Sequence, residues 1–319
     1  MIQSARIQDC RRILILCPSL SLAGAIVSSC CYREMKKANA QLKIAVVCSA
    51  ACRDFLKQNA YVDRVYALDG LPKKFSFRLW ALALKLRLKK YDVIIEPTEL
   101  NFWPWRFFQR LVGFSRRLDT SFCEIPFSQK QQPGSAYEQT LLEMLGVENP
   151  DKSYDLPVPA GARRQVAQWL EKNNISHYIL FYLTDKGQKL PLSLPQLKSL
   201  CDALGEFHLP ILFLTQSAHT KKITAFLGQN KSVFVQQFVG LGEYFEWVRL
   251  SSLVVCGENS AVAVAAGFEK PVCVLSGGKT FWGKAENPKA FSLKNTNFDE
   301  ESLDNAALTQ ALKKIREYL

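Results

Sequence analysis

Histidine is scarce in this chain of 319 residues: the three present, His177, His208 and His219, stand far apart. No spacing among them suits a structural zinc site. The ten cysteines form no Cys-x-x-Cys pair and follow no regular spacing, which excludes a zinc ribbon and a secreted disulfide framework. Cys17, Cys48, Cys256 and Cys273 instead fall inside apolar runs, as reduced core thiols of a cytosolic protein do. No apolar stretch reaches the roughly 18 residues that a membrane span requires. Internal repeats and low-complexity tracts are also missing. What is there, 48% hydrophobic and 22% charged residues, is the composition of a globular protein with room for two ordinary domains.

Acid is short in the first half. Residues 1–130 carry 22 Lys and Arg against 10 Asp and Glu, which accounts for the whole net charge of +12. An anionic partner for that half alone is the implication. Two stretches concentrate the effect. Pro72–Lys90 (PKKFSFRLWALALKLRLKK) holds seven basic residues and no acid, and reads as an ordinary helix with a buried apolar face and snorkelling basic ends. Asn101–Arg117 (NFWPWRFFQRLVGFSRR) packs two tryptophans, four phenylalanines and four arginines together. Rings at an interface with cations on phosphates suit an anionic lipid surface, so Trp103, Trp105, Arg106, Phe107 and Arg110 are candidate membrane or lipid-acceptor contacts. Nucleic acid would use similar ingredients.

Arg11-Arg12 and the apolar run behind them look like a secretory signal, and Val27–Cys30 like a lipoprotein cleavage box. Pro18 splits that run, however, and the segment fits a first strand, loop and helix. Strands are expected at Arg12–Cys17, Lys43–Cys48, Arg64–Leu68 and Asp92–Glu96, with helices near Ile26–Ala38, Ala50–Gln58 and Phe77–Lys89. The alternation argues for a parallel sheet covered by helices. Asp151–Pro159 (DKSYDLPVP) reads as a linker, dividing domains 1–155 and 156–319. The alternation then resumes: strands at Tyr178–Leu183, Ile211–Thr215, Val233–Gln236, Leu253–Cys256 and Val272–Leu275. Helices are expected at Arg163–Lys172, Leu194–Gly205, Lys221–Leu227, Tyr244–Arg249 and Asn305–Leu319, and the last is free to pack back on the first domain. The fold class is α/β, with two doubly wound, Rossmann-like domains facing across a cleft.

One turn draws the eye. In Val254–Gly278 (VVCGENSAVAVAAGFEKPVCVLSGG) a buried strand, a short helix and a second strand make a βαβ unit. The mouth of such a unit favours ligands, and its helix N-terminus favours anions. Asn259 or Ser260 can supply the N-cap oxygen. Glu258 does not suit phosphate and reads as an acceptor for a sugar hydroxyl. Plain helix capping explains the same residues equally well.

Taken in order along the chain, several segments resemble the family-nine glycosyltransferases, the ADP-heptose:lipopolysaccharide heptosyltransferases. Leu22–Lys37 looks like that family's first loop and helix. Asn59–Tyr66 (NAYVDRVY) and Tyr91–Glu96 (YDVIIE) look like its "NPYVDEV" and "YDLVID" segments. Leu241–Pro271 looks like the stretch from "SLxELAxLI" to "DTGxxHLAAALGKP". The resemblance implies a GT-B fold, an acceptor on the N-terminal domain and a nucleotide-sugar, ADP-heptose-like, on the C-terminal one. It implies an inverting, metal-independent transfer with no cofactor, on a cytoplasmic protein that touches the inner membrane peripherally and binds no nucleic acid. Glu258, Asn259 and Ser260 then match the donor-contacting tip, and Gly277 and Gly278 the glycine turn after the next strand. Thr184, Lys186 and Lys189 match the loop that places a basic residue on the donor phosphates.

Three family residues are missing. Gly24 stands where the first loop carries an aspartate, the general base. Ala263 replaces the tip's histidine, and no glutamate follows Thr215. For a base near the acceptor hydroxyl the sequence offers Glu96 and Glu99, of which Glu99 is the candidate. Three readings stay open: a glycosyltransferase of lipopolysaccharide core assembly, a family member that has lost catalysis and serves as a binding or scaffold protein, and a different nucleotide- or nucleic-acid-binding α/β protein.

Overall fold

The computed structural model describes residues 7–70, 76–96, 103–113, 116–119, 135–183, 192–215, 224–225, 232–257, 260–276, 287, 289–294 and 303–319. The backbone divides into two units, Met1–Asp155 and Leu156–Leu319, each built on one parallel sheet.

In the first unit the unbroken apolar runs form β1 (Arg12–Cys17), β2 (Lys43–Ser49), β3 (Arg64–Leu68) and β4 (Val93–Glu96). A short strand, β5 (Arg116–Asp119), lies at the edge, and the order is β3-β2-β1-β4-β5. Every residue of β1 after Arg12 is buried, as expected of a parallel strand covered on both faces. Between strands run α1 (Leu22–Val27), α2 (Ser29–Ala38), α3 (Arg53–Gln58), α4 (Phe77–Arg87), α5 (Trp103–Val112) and α6 (Ser135–Met144). The helix expected at Ile26–Ala38 starts earlier and is interrupted at Ser28. There Ser29 Oγ donates to the Ile26 carbonyl at 2.6 Å, the kind of local side-chain bond that bends helices. Helices α4 and α5 cover one face of the sheet. Leu79, Ala83, Leu86, Trp105 and Phe108 pack there on Leu14, Leu16, Ala45 and Val47.

Arg33 of α2 is buried and fastens the end of the unit. Its Nε donates to Glu34 at 2.9 Å, its Nη1 to Asp155 at 2.8 Å and to the Ser153 carbonyl, and its Nη2 to the Asp151 carbonyl. Lys37 adds a second cation on Glu34 at 2.8 Å. The Asp155 amide donates to Ser29 Oγ. The stretch read as a linker therefore has its first five residues tied to α2 by charge-assisted bonds.

The second unit carries β6 (Ile179–Tyr182), β7 (Ile211–Thr215), β8 (Val233–Gln237), β9 (Leu253–Cys256), β10 (Val272–Ser276) and β11 (Ala290–Lys294), in the order β11-β10-β9-β6-β7-β8. Its helices are α7 (Ala160–Lys172), α8 (Leu194–Leu204), α9 (Leu241–Leu250), α10 (Ala261–Gly267) and α11 (Asn305–Arg316). A reciprocal cap between Ser193 and Gln196 starts α8, and Asp304 caps α11 through the Ala306 amide. Ala311 and Ile315 of α11 join this unit's own core. The helix expected at Lys221–Leu227 lies mostly outside the described residues.

All nine described cysteines are buried, and none of them forms a disulfide. Cys17 and Cys48 are neighbours across β1 and β2. Burial pushes the Cys48 thiol up to about 12 and the Cys52 thiol up to about 11, so these are packing groups and not nucleophiles.

Candidate functional site

Open parallel sheets bind ligands beyond the carboxyl ends of their strands, where the strand order reverses. In the second sheet that point lies between β6 and β9, which pair with Tyr182 beside Cys256. The loops leaving these two strands therefore start side by side on one edge. The first leads to Thr184, Lys186 and Lys189, and the second to Glu258 and Asn259. All five lie outside the described residues, as do Gly277 and Gly278 after β10.

Ser260 is described, and it does not cap α10 as expected. Its backbone is already helical (φ −60°, ψ −20°) and its side chain makes no capping bond, because an N-cap oxygen reaches the helix amides from an extended backbone. The hydroxyl instead lies 3.4 Å from the Tyr244 hydroxyl. Tyr244 belongs to a ring cluster at this edge. Its ring centre is 4.7 Å from that of Tyr182 and 5.4 Å from that of Phe238. At the end of β10 the buried hydroxyl of Ser276 has no hydrogen-bond partner among the described residues. Sequence reasoning missed Tyr182, Phe238, Tyr244 and Ser276. Only the position of Ser276, the last residue before two glycines, could have pointed to it.

In the first sheet the reversal lies between β1 and β4, paired at Ile15 and Ile95. After β1 the loop is held by Ser49 Oγ and Cys52 Sγ, which donate to the Leu20 carbonyl at 2.6 and 3.0 Å. Ser21 then caps α1 by accepting from the Gly24 amide at 3.1 Å. Gly24 is buried within the first turn of α1. A β-carbon there would meet Leu20 Cδ1 at 2.9 Å, so any side chain at this position requires Leu20 to turn aside. After β4, Glu96 is buried and accepts from Trp105 Nε1 at 2.8 Å and from Gln109 Nε2. Its carboxylate ties β4 to α5. Glu99 lies outside the described residues.

The bond to Glu96 also corrects one expectation. Trp105 is fully buried, stacked on Phe108 with ring centres 4.9 Å apart, and cannot meet a lipid surface. The reason is helical phase: residues 105, 108, 109 and 112 face the sheet, while Trp103, Arg106, Phe107 and Arg110 face outward. Trp103 is 67% exposed and stacks on Phe107 at 5.7 Å. Helix α4 buries its apolar face as expected, yet leaves Phe77 79% exposed, and Leu88, at its C-terminal cap, is 81% exposed. Phe77 stacks on the partly exposed Trp80 at 5.7 Å.

No protein-family model matches the chain, and no curated protein does either. Solved structures do. A family-nine glycosyl transferase from Veillonella parvula superposes with a TM-score of 0.75 at 15% identity, covering 96% of this chain and 98% of that one. The E. coli heptosyltransferase WaaC with ADP gives 0.68 at 15% identity, covering 97% and 100%. A putative UDP-N-acetylglucosamine 2-epimerase from Listeria monocytogenes gives 0.56 at 13% identity, covering 96% and 88%. Over nearly its whole length the chain thus has the GT-B fold, and among these structures it is most similar to the family-nine glycosyltransferases.

Proposed function

We propose that the protein is a glycosyltransferase of lipopolysaccharide core assembly, transferring a heptose-like sugar from a nucleotide diphosphate donor to an anionic, lipid-linked acceptor. The observation that carries this reading is the end-to-end likeness to two glycosyltransferase structures, one of them with ADP. In this reading the donor sits at the β6/β9 edge. Lys186 and Lys189 meet its diphosphate, Glu258, Asn259 and Ser260 its sugar and the adjoining phosphate, and Gly277 and Gly278 let the backbone approach. The Tyr182–Phe238–Tyr244 cluster supports that edge from beneath. The acceptor hydroxyl oxygen bonds to the anomeric carbon, the bond from that carbon to the donor phosphate oxygen breaks, and the nucleotide diphosphate leaves with the electron pair. The hydroxyl proton goes to Glu99, since the Glu96 carboxylate ties β4 to α5 and Gly24 offers no carboxylate.

The outward rings of α4 and α5, Phe77, Trp80, Trp103 and Phe107, interleaved with Arg106 and Arg110, form the surface that meets the acceptor's lipid or the inner membrane. Aromatic rings rest at a headgroup interface while the cations find phosphates.

Calorimetry with ADP tests the donor site, and no binding at millimolar nucleotide overturns it. Lys186→Ala and Lys189→Ala should each weaken binding by about 1–3 kcal/mol if they meet phosphate. Gly24 favours one second reading, a binding protein with lost catalysis, because removing a general base typically costs about 10²–10⁴-fold in rate. Gly24→Asp should then raise transfer above wild type. Ordinary wild-type turnover rejects the second reading.

A further inference from the structure

The opposite edge of the first sheet, where the strands begin, carries a second concentration of charge that glycosyl transfer at the carboxyl edge does not use. Two adjoining depressions of about 220 and 500 Å³ open there and share Arg12 and Lys43 in their walls. Arg64 and Lys89 complete the first, and Arg11 and Lys90 the second. Two acids stand among these six cations, and both are already spoken for. The Asp92 carboxylate accepts the amides of Arg11 and Arg12 at 2.7 and 2.8 Å. That of Asp63 accepts the Ile44 amide and the Lys36 ammonium, each at 2.8 Å, with Lys43 farther off at 3.4 Å. They serve as caps for the first, otherwise unsatisfied amides of parallel strands.

Arg11, Arg64, Lys89 and Lys90 are left with no side-chain carboxylate among the described residues. Arg12 and Lys43 are direct partners on neighbouring parallel strands, which brings two cations to one stretch of the edge. The Arg12 guanidinium is held in place by its bond to the Lys89 carbonyl, so its fork is oriented before any ligand arrives. Guanidinium forks match phosphate oxygens two at a time. We infer that the amino edge of the first sheet, around Arg11, Arg12, Lys43, Arg64, Lys89 and Lys90, is a binding site for a phosphate-bearing anion of more than one negative charge. It is distinct from the donor site. The almost fully exposed Leu88 adjoins Lys89 and Lys90, so the anion is either a soluble phosphate or a lipid headgroup.

Inorganic pyrophosphate and vesicles containing phosphatidylglycerol separate these sources. Wild type is compared with an Arg64→Gln, Lys89→Gln double variant, and ADP binding and far-ultraviolet circular dichroism serve as controls for the fold. Pyrophosphate affinity should fall about tenfold or more in the variant, two charge-assisted contacts being lost, while ADP binding stays unchanged. A drop confined to pyrophosphate identifies a soluble ligand, and reduced vesicle retention identifies a headgroup. Should the double variant fail to fold, Arg11→Gln with Lys90→Gln addresses the second depression in the same way. Identical pyrophosphate isotherms and identical vesicle retention in wild type and variant overturn the inference, whether or not the donor site binds ADP.

Discussion

Replacing Arg33 by methionine keeps most of the side chain's volume and removes its charge. The Arg33 and Glu34 side chains are only 7% and 8% exposed, so the loss leaves a buried carboxylate with Lys37 as its remaining cation. The carbonyls of Asp151 and Ser153 lose their donor as well. Breaking one side of a buried ion pair costs about 3–5 kcal/mol. Asp151 is half exposed and water can replace part of what it loses, which favours the lower end, about 3 kcal/mol. At roughly 2–4 °C per kcal/mol for a unit of this size, the first unit's transition should fall by about 6–12 °C. Scanning calorimetry on the full chain measures it. Glu34→Gln in the same background should restore about 1–2 kcal/mol, because the orphaned charge is gone.

The pH dependence has a definite sign. Burial pushes the Glu34 carboxyl up, but hydrogen bonds from Lys37 and Arg33 outweigh it and hold the group below the usual carboxylate range. A depressed acid contributes stability above its unfolded pKa, about 4.3, and loses it as pH falls through the lower folded value. The gap between wild type and Arg33→Met should therefore be full at neutral pH and narrow below about pH 4. A loss under about 1 kcal/mol, or a gap indifferent to acid, refutes the reasoning.

Glu96→Leu should destabilise the first unit by about 2–5 kcal/mol, since Trp105 Nε1 and Gln109 Nε2 would be buried donors without this acceptor; denaturant titration reads it, and normal stability would mean those donors find other partners. Trp103→Ala with Phe107→Ala should reduce retention on anionic vesicles without changing the melting temperature, and Trp105→Phe should do the reverse, lowering stability by about 1–2 kcal/mol while leaving retention intact. Equal retention by wild type and Trp103→Ala, Phe107→Ala refutes the outward-ring surface.

The strands of both sheets were legible because buried parallel strands are written as unbroken apolar runs, as in RILILC and KIAVVC. Two edge strands were not. Arg116–Asp119 is four residues with three charges, and Ala290–Lys294 mixes polar and apolar positions, so neither carries that signature. The inward face of α5 was visible in principle: residues 105, 108, 109 and 112 recur at helical spacing. Counting aromatics as one patch hid that Trp103 and Trp105 point in opposite directions. The role of Glu96 was beyond reach, because its partners lie nine and thirteen residues away on the next helix. So was the amino-edge charge cluster, since four chain segments meet there only after the sheet has formed.

The buried cysteines give the chain a built-in gauge of its own opening. Six of the nine, Cys10 to Cys52, lie in the first unit, and Cys201, Cys256 and Cys273 lie in the second. An alkylating reagent reaches such thiols only when the surrounding core opens. Mass spectrometry of peptides after timed alkylation would then follow each unit through its own residues, in a single tube, with no residue substituted.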